Sequence, residues 1–169
     1  MANIASNVMT EDFNSSIAGS NLYNNELIGC VAIYNVLSQS KTISSAKAML
    51  IIPLMCHNGF LSYINRANTD LKSIEQLVIR KPELVSNFNE RFYSLMLNSI
   101  NSISILNSIN VIEFSENNIK ISEKKDFYSI EQTSKLGLRA KKIIAASPTV
   151  AKLLEDDVEN LYLQLRVKL

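Results

Sequence analysis

The sequence predicts a mainly helical α+β domain: a bundle of helices, one small β-hairpin and a strand at the C-terminus. Three observations predict it. Apolar residues recur every three or four positions through most of residues 26–106. Between residues 111 and 121 the pattern changes to β-branched residues on either side of an Asn-rich turn. Over the last nine residues, apolar and polar side chains alternate strictly.

Taken in order, residues 1–20 are rich in Asn, Ser and Ala and read as a loosely held arm, leaving 21–169 as one domain. Residues 26–37 are apolar on nearly every face, with Leu27, Val31 and Tyr34 one turn apart, which describes a helix buried on most sides. Ser44 or Ser45 caps a second helix carrying Ala48, Leu50, Ile51, Leu54 and Met55, with Pro53 bending it or lying near its end. Asn58-Gly59 marks a turn. Ser73, with Gln76 three residues on, caps a short helix bearing Ile74, Leu77 and Val78. Pro82 suits the first position of a long helix, along which Leu84, Phe88, Phe92, Met96, Ile100, Ile103 and Leu106 form the apolar stripe.

Val111, Ile112 and Phe114, the turn residues Glu116-Asn117-Asn118, and Ile119 and Ile121 then form a hairpin. A long helix feeding a hairpin is how a winged-helix module ends, so the domain is expected to be winged-helix-like. Thr133 or Ser134 caps a helix with Leu136, Leu138, Ile143 and Ile144, and Ser147-Pro148 reads as the cap and first residue of another short helix. Leu161, Leu163, Leu165, Val167 and Leu169 alternate with polar residues, which predicts a strand that joins the hairpin or stands as an exposed edge.

Composition narrows the function. With 17 basic and 16 acidic residues, the chain has no polybasic field to capture nucleic acid nonspecifically. The longest apolar run, 46–56, contains Lys47 and Pro53 and falls short of the ~20 residues that span a bilayer core of ~30 Å. The N-terminus lacks the basic start and apolar core of a signal peptide, and the two cysteines, Cys30 and Cys56, lack metal-clip or redox-pair spacing; both point to the cytoplasm.

Catalytic groups are scarce. His57 is the single histidine, placed where a helix-terminal histidine binds a backbone carbonyl, and Cys56 beside it points elsewhere on a helix. Glu155-Asp156-Asp157 reads as a solvated loop rather than a metal site. Four dispersed glycines make neither a phosphate loop nor a dinucleotide fingerprint. The expectation is therefore no enzyme, no catalytic residues, no cofactor and no metal. One charge concentration remains: Lys120, Lys124 and Lys125 around the hairpin, then Lys135, Arg139, Lys141 and Lys142, of which 135, 139 and 142 share a helical face. Such a set could contact DNA or an acidic partner, or be an ordinary solvated face.

The order of features also resembles a known family. Asn25-Glu26-Leu27-Ile28-Gly29-Cys30-Val31-Ala32, the run Ala48-Met49-Leu50-Ile51-Ile52-Pro53-Leu54-Met55, the block from Lys81-Pro82-Glu83 to Arg91, the isoleucine-rich hairpin and the segment 140–150 resemble the small middle components of bacterial three-component ABC-type (ABC-3C) systems, including the equivalent subunit of Lamassu-type defence complexes. The resemblance implies a non-catalytic accessory subunit. It would dock on an SMC/Rad50-like ABC ATPase, beside an effector such as a nuclease, in defence against phage or plasmids, with DNA engaged through the complex. The alternative is a winged-helix transcriptional regulator that binds DNA as a homodimer.

Overall fold

The structure, a computed structural model, describes residues 25–122 and 136–168; the arm expected at 1–20 lies outside them. The first described helix, α1 (Glu26–Ser40), is capped by Asn25, whose side chain accepts the Ile28 N–H at 3.1 Å. Cys30 to Ile33, Val36 and Leu37 are all buried, because three other helices pack around α1. Lys41, at φ 63°, ends α1 with its N–H on the Leu37 carbonyl and turns the chain into a short strand, β1 (Thr42–Ser44). Ser44 then caps α2 (Ser45–Met55), which runs through Pro53 near its end.

Asn58-Gly59 is not a turn. These residues open a short helix, α3 (Asn58–Ile64), with His57 in extended conformation before it. Ser73 caps α4 (Ile74–Arg80), accepting the Gln76 N–H at 3.2 Å, and the Gln76 side chain returns a bond to the Lys72 N–H at 3.1 Å. Pro82 does not start the long helix either. It leads a single 3₁₀ turn (Pro82–Leu84), and the long helix α5 (Phe88–Ser108) begins after a break at 85–87. Ser86 donates to the Glu83 carbonyl, a side-chain-to-backbone bond that competes with a continuous helical ladder. The break also lets Val85 and Phe88 enter the core together.

The hairpin forms as expected from β2 (Ile112–Ser115) and β3 (Asn118–Ile121), with Glu116 at φ 55° in the turn. Its third strand is β1, giving an antiparallel sheet ordered β1-β3-β2 with Ile43, Ile119 and Phe114 in one cross-strand row. The expected C-terminal strand is overturned. Residues 158–164 form a helix, α7 (Val158–Gln164), in which Leu161 and Leu165 are fully buried, Tyr162 is largely so and Leu163 is 75% exposed. Alternation at 161, 163 and 165 also contains the i, i+4 pair that a helix buries, and packing chose that pair.

Ser147-Pro148 likewise fails to start a new helix. A single helix, α6 (Leu138–Leu153), passes through Pro148, which is exposed, and Ser147 donates to the Ile143 carbonyl at 2.9 Å. Its buried face, Ala140, Ile143, Ala146, Ser147, Val150 and Ala151, lies along α1, and that packing outweighs one missing amide hydrogen bond. The proposed cap at Thr133 or Ser134 lies outside the described residues. In sum, α1, α2 and α5 pack against one another and onto one face of the sheet, α6 covers α1, and α7 meets α4. Among the described residues, no helix is long and apolar enough to cross a membrane.

Candidate interaction surface

The basic residues singled out in the sequence do not share one environment. Lys120 stands on β3 and pairs with Glu113 across the strand at 3.8 Å. Arg139, in the first turn of α6, is turned inward: Nη2 donates to the Cys56 carbonyl at 2.9 Å and Nη1 to the Asn58 side-chain oxygen. Lys141 and Lys142 are exposed on the same helix, and the Lys142 carbonyl accepts from Asn65 at 2.9 Å. Lys124, Lys125 and Lys135 lie outside the described residues.

Arg91 acts beside Arg139. Its Nε donates to the Pro53 carbonyl at 3.3 Å and its Nη2 to the Leu84 carbonyl at 2.9 Å. Two guanidinium groups thus meet carbonyls at the C-terminal end of α2, where the helix leaves acceptors unpaired and its dipole favours cations.

The two thiols, His57 and Asp156 sit in different environments. Burial holds the thiols in their neutral form, pushing Cys30 up to about 11 and raising Cys56 despite the neighbouring Arg139, so neither is a ready thiolate. His57 is held below its ordinary value by burial and, secondarily, by the Arg91 charge. Its Nδ1 is buried without a hydrogen-bond partner among the described residues. Asp156 spends Oδ1 on the Asp157 N–H at 2.8 Å and the Asn160 amide at 3.3 Å, closing the turn into α7. Among the described residues no three His, Cys, Asp or Glu side chains converge as a metal site.

The most distinctive surface is on α5, and sequence reasoning divided that helix wrongly. Its buried side is Phe88, Phe92, Ser99, Ser102, Ile103 and Leu106; the serines face the core, Ser102 donating to the Glu26 carbonyl at 3.1 Å and Ser99 to the Leu95 carbonyl at 3.1 Å. Met96 and Ile100, expected in the core stripe, face out. They are 38% and 47% exposed, beside Tyr93 at 47% and Leu97 at 68%. Positions 93, 96, 97 and 100 have the i, i+3, i+4, i+7 spacing of one helical face, so α5 carries two apolar faces and buries one. The signal was present in the sequence: the apolar arc of residues 88–109 is wider than a single core contact uses. Between residues 88 and 108 the only basic residue is Arg91, which is committed to backbone carbonyls.

The family model of the ABC-three component (ABC-3C) system Middle Component 3 matches residues 20–169. No curated protein and no solved structure matches the chain.

Proposed function

Because the chain belongs to the family of middle component 3 of ABC-three component systems, we propose that it is a non-catalytic accessory subunit docking on an SMC/Rad50-like ABC ATPase in an anti-phage or anti-plasmid complex. In this reading the complex is cytoplasmic, an effector such as a nuclease supplies the destructive chemistry, and this subunit helps assembly, DNA engagement or effector control. The observation that carries it is the outward apolar face of α5. Tyr93, Met96, Leu97 and Ile100 present contiguous apolar surface on a rigid 21-residue helix, and such surface suits the centre of a protein interface.

Co-expression with the other components of the system tests this. The wild-type chain is expected to co-purify with them, and Leu97→Glu with Ile100→Glu to weaken capture by at least about 30-fold, the size of a hot-spot loss. Because both side chains already face water, the variant should keep the thermal stability of the wild type to within about 1 kcal/mol. A wild-type chain that elutes alone, or a variant that binds as well as wild type, defeats the proposal.

A second reading has one observation in its favour. The order α1-β1-α2, then α5 and a hairpin, with the sheet ordered β1-β3-β2, supports a winged-helix arrangement in which α5 precedes the wing. A homodimeric regulator of that design reads DNA through this helix, yet Met96, Leu97 and Ile100 make its outward face apolar and its one basic residue, Arg91, is held by backbone carbonyls. Phosphate contacts would then fall to Lys120, Lys124, Lys125, Lys135, Lys141 and Lys142, because Arg139 is held by the Cys56 carbonyl and Asn58. Strongly salt-dependent binding of a palindromic duplex, lost when Lys141 and Lys142 become Ala, would favour this reading over the first.

A further inference from the structure

Among the described residues β1 is an edge strand, and register and alternation identify which of its backbone groups are left open by them. Thr42, Ile43 and Ser44 stand opposite Lys120, Ile119 and Asn118, and the Ser45 N–H donates to the Asn117 carbonyl at 2.8 Å. In an antiparallel pair every second residue exchanges both bonds with its partner. Ile43 therefore joins Ser45 in bonding to β3, while the N–H groups of Thr42 and Ser44 and the Thr42 carbonyl point away. The register on the other side agrees: Ser122 donates to the Val111 carbonyl at 2.9 Å, which assigns Asn118 and Lys120 to β2 and leaves Ile119 for β1.

Thr42, Ile43 and Ser44 line a cleft of about 810 Å³ between β1 and the C-terminal turns of α6, with Pro148, Leu154 and Val158 on its walls. The charged residues around it are Lys47, Lys152, Glu155 and Asp157, two of each sign, with Lys47 Nζ on the Glu155 carbonyl at 3.3 Å. Balanced charge selects neither an anion nor a cation. What remains is a strip of main-chain donors and an acceptor beside walls of mixed polarity, the chemistry that a β-strand satisfies. At about 3.3 Å rise, 4.8 Å strand spacing and 10 Å sheet thickness, one strand residue fills roughly 160 Å³, so the cleft holds about five residues of one extended chain.

We propose that the β1 edge takes up an extended segment of a partner subunit as a fourth strand of the sheet. The proposal rests on the reading of this chain as a subunit of an assembly, and it names a contact separate from the α5 face.

Amide hydrogen exchange on the full chain, alone and co-expressed with the other components of its system, tests it. In the free chain the Ile43 amide is expected to exchange slowly and those of Thr42 and Ser44 fast; in the complex the latter two should slow by at least about tenfold. Substitution gives a second readout. Ser44 has φ −68°, close to the value proline imposes, so Ser44→Pro removes the outward N–H without bending the strand. Ser44→Ala loses the same capping oxygen, which accepts from Lys47 N–H at 3.3 Å, but keeps the N–H. The Pro variant should bind about tenfold more weakly than the Ala variant, the loss of roughly one hydrogen bond. Equal affinities, or fast Thr42 and Ser44 exchange within an intact complex, overturn the added strand and leave the subunit reading standing. If no complex forms, both fall. Protection that rises with the concentration of the chain alone overturns the partner's strand in favour of self-association, and if Ser44→Pro does not fold, the wild-type exchange pattern decides.

Discussion

Gly29 shows how one residue sets the distance between two helices. A Cβ there would lie 2.1 Å from Ser102 Oγ, 2.6 Å from Ile52 Cδ1 and 2.9 Å from the Asn98 side-chain oxygen. Alanine has the better helix propensity by about 1 kcal/mol, but the contacts reverse the sign. Gly29→Ala is expected to lower stability by about 1–3 kcal/mol in denaturant titration. Adding Ser102→Ala, which removes the nearest atom, should recover part of the loss, and independent effects of the two substitutions would show that the crossing is looser than this. His57 makes a second prediction at this scale. Its folded-state pKa lies below the ordinary 6.5, so the unfolded chain binds the proton more readily. The neutral imidazole's contribution is present above pH 6.5 and is lost as pH falls through the lower folded value. Urea titrations at pH 7.5 and 5.5 should therefore show a larger drop for wild type than for His57→Gln; parallel drops would remove His57 as the cause.

At the scale of elements, the helices whose ends carry strong local signals were read correctly from the sequence. Ser44 and Ser73 each bond the N–H three residues on, as their place before apolar runs predicts. Proline signals served less well. Pro82 and Pro148 both suit a first helical position by sequence, yet the structure has a 3₁₀ turn at one and the interior of a helix at the other. A proline removes one donor, a cost that the burial of a whole helical face on α1 exceeds. The last element has the sharpest test. In α7, Leu161 is buried and Leu163 faces solvent, whereas a strand would place both on one face. Leu161→Asp should cost at least about 3 kcal/mol and Leu163→Asp less than about 0.5 kcal/mol, compared by thermal unfolding. Equal costs would restore the strand.

For the molecule as a whole, the sheet and the long helix divide the labour. β3 lies at the centre of the sheet, which leaves β1 and β2 as edges among the described residues, and the same chain order brings α1, α2 and α5 together. The core is continuous from α1 through α7, so the outward face of α5 is rigid rather than loosely held. A rigid apolar helix face and an open strand edge are two different means of binding a partner, one through side chains and one through the backbone.

The amino-acid sequence by itself determined the mainly helical α+β class, the hairpin, the principal caps and the family resemblance, because each is written in local spacing or in the order of features. Only tertiary structure decided that residues 161–165 are helical, that 42–44 supply the third strand, that Arg139 turns to the Cys56 carbonyl, and which apolar face of α5 is buried. Those choices depend on what lies opposite. An apolar spacing compatible with two conformations, or a helix with two apolar faces, is resolved by the partner surface that removes more of it from water.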